Sequence, residues 1–175
     1  REIDIEQDDF KEVPPKGFYR LSPGKEIRLK FAYYVTCQNV VKDAVGNVIE
    51  VHCTYDPETR GGTSADGRKV KGTSHWVSAA HGVKVPVRIY DNLFCNPNPG
   101  AGEEDYRAAL NPKSLEIVEG YLEPGLLNAA PGNRYQFERL GYFYVDPKES
   151  KPGKPVFNRT VAMRDTWTKM ENKAK

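Results

Sequence analysis

The sequence predicts an all-β protein with few, short helices. Aromatic residues occupy 11% of the 175 positions, and ten of them are tyrosines, a composition that suits pleated, half-buried surfaces. Fifteen glycines and thirteen prolines supply turns along the whole chain. Apolar residues recur with a period of two in several segments, and no long amphipathic helix pattern is present.

The elements follow in order. From residue 25 to 41, Ile27, Leu29, Phe31, Tyr33, Val35 and Cys37 alternate with Arg28, Lys30, Ala32, Tyr34 and Thr36, which predicts one half-buried strand. Alternation places Arg28, Lys30 and Tyr34 on a single face. Residues 42–47 read as a hairpin turn into a second strand at 48–55. Residues 56–68 are dense in Gly, Asp, Pro, Ser and Thr and predict an exposed loop outside any core. Two more strands are expected at 69–79 and 84–94, with Pro86 marking an edge position or a bulge.

The run Asn96-Pro97-Asn98-Pro99-Gly100-Ala101-Gly102 interrupts the pattern and suggests a module boundary. A short helix is expected at 103–110, ended by Asn111-Pro112, because the residue before proline disfavours helix. Strands at 114–122, 133–145 and 154–163 complete the prediction, separated by Gly/Pro turns. Strands at such spacing indicate barrels or a sandwich.

Charge excludes a broadly cationic protein, since 26 Lys and Arg face 24 Asp and Glu, leaving +2. Any nucleic-acid site must therefore be local. Residues 1–12 carry Glu2, Asp4, Glu6, Asp8, Asp9 and Glu12, whereas Lys16, Arg20, Lys25, Arg28 and Lys30 follow with only Glu26 opposing. That block reads either as a basic strip or as an ordinary solvated face. Cys37, Cys53 and Cys95 have no metal-ligand spacing and are expected to be buried, reduced thiols. No secretory leader and no apolar run of membrane-spanning length occur, so a cytoplasmic, non-membrane setting is expected. A chain starting at Arg1 without Met suggests a piece of a longer protein.

Catalytic constellations are missing. The sequence has no phosphate-cradling glycine loop, no nucleophile elbow and no H-E-x-x-H. His52, His75 and His81 are too scattered to suggest a shared metal. Glu103-Glu104-Asp105 more simply suits the positive end of a helix. No active site, metal or cofactor is expected in this chain.

Six blocks, in order, carry a resemblance: residues 18–30 (FYRLSPGKEIRLK), 53–59 (CTYDPET), 66–72 (DGRKVKG), 75–78 (HWVS), 135–143 (YQFERLGYF) and 155–160 (PVFNRT). Together they resemble the C-terminal anticodon-binding region of the glutaminyl-tRNA synthetase family, over nearly the whole chain. The glutamyl enzymes of archaeal and eukaryotic type share that architecture. The resemblance implies two small antiparallel β-barrels, a proximal one from residues 1–24 plus 103–175, incomplete at its N-terminus, and a distal one from 25–102. It also implies a class I parent ligase that uses ATP and Mg²⁺, although neither nucleotide signature occurs here. The partner implied is the anticodon loop of glutamine tRNA, with no DNA and a monomeric state. Arg20 is implied to face the third anticodon base, Arg28 the first and Gln136 the middle uracil, with Lys30 and Arg139 nearby and Phe18, Tyr19 and Tyr135 as stacking faces. Alternation from Gln136 sends Arg139 to the opposite face unless the strand bends. Other readings are a ribosomal-RNA-binding barrel and a protein-interaction module without RNA contact.

Overall fold

A computed structural model describes residues 1–100 and 105–163. The chain divides into two compact units, Arg1–Ala80 and His81–Lys175. Eleven strands and four short 3₁₀ turns make up the regular structure of the described residues. The all-β expectation holds. None of the helices among the described residues is long and apolar enough to cross a membrane.

The first unit contains β1 (Ile3–Asp4), β2 (Glu26–Leu29), β3 (Tyr34–Lys42), β4 (Val48–Asp56), β5 (Thr73–Ser74) and β6 (Val77–Ser78). A four-stranded sheet runs β4-β3-β2-β5, and β1 pairs with β6. Residues 25–41 form two strands where alternation predicts one. Leu29 N–H donates to Tyr33 O and Ala32 N–H to Leu29 O, closing a tight turn over Lys30 and Phe31. The turn reverses the chain, so Arg28 lies opposite Tyr34 and Ile27 opposite Val35. Side chains directly opposite in an antiparallel pair share a face. Arg28 and Tyr34 therefore do face the same way, as alternation predicts, while Lys30 and Phe31 leave the sheet at the turn.

The second sheet is β8-β7-β11-β10-β9, built from β7 (Val83–Tyr90), β8 (Leu115–Leu122), β9 (Arg134–Phe137), β10 (Gly141–Val145) and β11 (Phe157–Ala162). The expected strand over 133–145 is again a hairpin, with Leu140 N–H donating to Phe137 O. Both sheets are mixed rather than purely antiparallel, because β2 pairs with β5 and β11 with β7 in parallel. Parallel neighbours require crossover connections, and the path from β2 to its parallel neighbour β5 runs through β3, β4 and residues 57–72. Pro86 sits just outside the stretch of β7 that β11 pairs with, a locally one-sided position that tolerates its missing N–H.

The division differs from the expected 1–24 plus 103–175 and 25–102. Ile5, Phe10 and Leu21 pack with Ile27, Leu29, Val35 and Cys37 in the first core, which holds the N-terminal segment in that unit. β7 joins the other core, where Val85 and Val87 meet Leu122, Phe143, Val145 and Phe157. Three phenylalanines interlock there, with Phe137 at 4.7 Å from Phe143 and 5.4 Å from Phe157 between ring centres.

Three smaller expectations change. The 69–79 strand reduces to β5 and β6, because His75 and Trp76 break the ladder. The 103–110 helix is a 3₁₀ turn at Tyr106–Ala109, and 103–104 lie outside the described residues. Cys37 is buried, whereas Cys53 and Cys95 are exposed. Cys53 faces Cys37 across the pair, but on edge strand β4, whose core face is only partly covered.

Candidate nucleic-acid interface

Arg28 emerges from the middle of the β2–β3 hairpin. Its Nε and Nη2 both donate to Thr73 Oγ1, at 3.2 and 2.9 Å, and no carboxylate bonds it among the described residues. β5 supplies Thr73 because it lies parallel to β2 in register with Arg28. The Arg28 stem packs under Gly62, where an added Cβ would come within 2.9 Å of Arg28 Cδ. Gly62 has φ of +86°, a region open chiefly to glycine.

A shallow cleft of about 370 Å³ opens at this point, lined among others by Arg28, Tyr34, Gly62, Ser64, Arg68 and Lys69. The loop over 56–68 builds its far wall and is anchored more firmly than expected. Thr59 is fully buried, and its hydroxyl accepts the Tyr34 N–H at 2.8 Å while donating to Asp56 O. Arg68 locks the loop. It grips Glu26 through two bonds of 3.1 Å, Asp66 at 2.6 Å, and Asp56, and its guanidinium lies 5.3 Å from the Tyr34 ring centre. Hydrogen bonds from Arg68, the side chain at Asp56 and first the backbone N–H at Asp66, hold both carboxyls below their ordinary range, Asp66 at about 2.

Two arginines of the cleft thus have opposite electrostatic states. Arg68 is neutralised by three carboxylates; Arg28 has one neutral acceptor among the described residues. A guanidinium left with free forked donors in a polar cleft suits a phosphate or a base edge.

The remaining expected residues separate by environment. Arg20 is half-buried, and its Nη1 is bonded to Asp9 Oδ1 and to Asp8 O. Asp9 is fully buried and also accepts from Ser74 Oγ. This fixes Arg20 while its Nε and Nη2 make no protein bond among the described residues. The acidic N-terminal segment therefore folds onto part of the basic block, with Glu12 also pairing Lys42 at 2.7 Å. Lys30 stands at the β2–β3 turn, its backbone held by Ser74 O and by the Trp76 indole, and its ammonium lies 5.1 Å from the Phe31 ring centre.

In the second unit, Gln136 lies exposed on β9, its amide donating to the Met163 sulfur at 3.7 Å. Arg139 has φ of +69° at the β9–β10 turn. The bend that its participation requires is therefore present. Of the expected stacking faces, Tyr19 is exposed with Lys71 over its ring, and Phe18 is half-buried under Lys11. Tyr135 packs edge-on against Phe157, which commits its ring to the core.

Sequence reasoning missed the role of Gly62 and Arg68 in shaping the cleft, having read 56–68 as an exposed loop outside any core. It also missed Phe31, assigned there to the buried side of a strand. Among the described residues no group of three His, Cys, Asp or Glu could hold a metal ion.

Comparison with known proteins points one way. Two family models, both described as the anticodon-binding domain of class I (E and Q) tRNA synthetases, match residues 1–56 and 73–146. A glutamine–tRNA ligase of Cupriavidus necator is 56% identical over 170 residues, covering 97% of this chain and 29% of that protein. Those of Nitrobacter hamburgensis and Nitrosomonas europaea are 55% and 48% identical, again over 97% of the chain, and 30% and 31% of their own lengths. The chain thus spans under a third of the curated relatives it matches.

Proposed function

The chain belongs to the anticodon-binding domain family of the class I (E and Q) tRNA synthetases, and from that premise we propose that it reads the anticodon loop of glutamine tRNA for a longer protein that joins glutamine to that tRNA. Relatives carrying the glutamine–tRNA ligase name at 48–56% identity support the choice of amino acid. ATP and Mg²⁺ belong to that longer protein's reaction. The residues described here do not fit either group, since none converge as metal ligands and no phosphate-cradling loop is present, so no step of the reading passes through them. A cytoplasmic monomer is part of the same proposal.

The observation that carries the reading is the state of Arg28: a positioned guanidinium in a polar cleft, bonded to one threonine hydroxyl. Unpaired loop nucleotides can splay their bases into such pockets, where edges inaccessible in a duplex are read. Arg28 is assigned to the first anticodon base and Arg20, braced by Asp9, to the third. Gln136 offers a donor and an acceptor to the middle uracil. Lys30 and Arg139 sit at the tips of the hairpins that bear Arg28 and Gln136 and contribute positive charge beside them. Discrimination arises because a wrong base leaves one of these side chains desolvated without its partner, at about 1–3 kcal/mol per lost contact.

Binding of RNA hairpins with a CUG anticodon loop, against hairpins altered at one anticodon base, tests the reading. Arg28→Ala is expected to erase discrimination at the first position while keeping it at the third, and Arg20→Ala the reverse. Uniform weakening across all loops would instead assign both arginines to the phosphate backbone.

A further inference from the structure

Phe31 is the one phenylalanine of the seven in the chain whose side chain is exposed, at 79%. Isolated exposed apolar residues are ordinary, but this one is also conformationally strained. It has φ of +58° and, with Arg139, is one of two described non-glycine residues in the left-handed region. Glycine or asparagine would fill the third position of such a turn with less strain. The turn is not free to relax. Leu29 and Ala32 N–H groups close it, Lys30 N–H donates to Ser74 O, and the Trp76 indole donates to Lys30 O at 3.0 Å. The backbone therefore holds the ring in water, next to the Lys30 ammonium and three residues from Arg28.

Strain held in place by surrounding bonds is a pointer to function when it coincides with a binding surface. Resting on the anticodon-reading proposal above, we infer that Phe31 is a stacking platform for an unpaired nucleobase adjoining the one that Arg28 meets. The chemistry is the pairing of a flat apolar ring with a base face, flanked by a cation for the neighbouring phosphate, as single-strand binders use it. The backbone that presents the ring is held before binding, so the freedom lost on contact is confined to the side-chain torsions.

The test uses the intact protein, the CUG-loop hairpin as probe and three variants. Phe31→Asn relieves the strain and removes the ring, so thermal stability should hold or rise while affinity falls about tenfold. Phe31→Trp should retain affinity, and its indole emission should be quenched when the hairpin is added. Arg28→Ala is the control. Unchanged affinity in Phe31→Asn together with a loss in Arg28→Ala would overturn the platform and leave the anticodon reading standing. Equal losses in Phe31→Asn and Phe31→Trp would make the position structural and also overturn it. Unchanged affinity in Arg28→Ala would remove the reading on which the inference rests.

Discussion

What an arginine does in this chain is decided by the acceptors around it. Arg68 is bound by Glu26, Asp56 and Asp66, and Arg88 by Asp146 and Glu149; both are structural ties. Arg20 is half committed, and Arg28 has no acid partner among the described residues. The sequence showed the basic block but not this sorting, because, apart from Asp66 two residues from Arg68, the neutralising carboxylates come from afar: Asp9 is 11 residues from Arg20 and Glu26 is 42 from Arg68. A pH prediction follows from the Arg68 cluster. Asp56 and Asp66 have folded values below the unfolded one of about 3.9, so their contribution to stability is fully present above about pH 4. It is lost as pH falls through the folded values, near 2 for Asp66. Asp56 is lowered first by the Arg68 side chain, Asp66 first by the Arg68 backbone N–H. In Arg68→Gln, carboxyl NMR titration should therefore show Asp56 returning toward the ordinary range while Asp66 remains partly depressed. Parallel behaviour of the two carboxyls would contradict the assignment of causes.

At the scale of elements, period-two alternation correctly located nearly every strand yet twice hid a reversal. Residues 25–41 alternate straight through the β2–β3 turn, and over 133–145 the alternation lapses only at Arg139 and Leu140; neither Lys30-Phe31 nor Glu138-Arg139 carries a Gly, Pro or Asn to announce a turn. Tertiary context imposes those turns: Ser74 and Trp76 strap the first, and Gly141 N-terminal to β10's packed face approaches the Val161 carbonyl too closely for any Cβ. Both concealed turns carry candidate binding residues, which is why the fold was more legible than the site. The loop over 56–68 shows the same limit from the other side, its turn-rich composition concealing a fully buried Thr59 and the Gly62 seat for Arg28. Gly62→Ala is expected to destabilise the first unit by about 1–2 kcal/mol, as an L-residue at positive φ, and to displace the Arg28 stem. Urea denaturation should show the stability loss, and hairpin binding should lose first-base discrimination as in Arg28→Ala. A destabilised variant that still discriminates normally would mean that Gly62 does not seat Arg28.

For the molecule as a whole, near-neutrality constrains how RNA is held. Twenty-six cations against 24 anions leave little long-range field, and three cations are also neutralised internally, by Asp9 on Arg20, Glu12 on Lys42 and the three carboxylates on Arg68. Binding must then depend on a few positioned groups rather than on broad counterion release. Each phosphate neutralised on a single strand contributes about −0.7 to the slope of log K against log salt. Two to four contacts from cations such as Lys30 and Lys69 therefore predict a slope of about −1.5 to −3 for the CUG-loop hairpin. A far steeper slope would mean that the chain grips the backbone over a wide surface, against the charge distribution seen here. The same measurement separates the two chemistries open to Arg28. If its guanidinium meets a base edge, Arg28→Gln lowers affinity at every salt concentration and leaves the slope unchanged. If it meets a phosphate, the variant's slope flattens by about 0.7, and first-base discrimination must come from another side chain of the cleft.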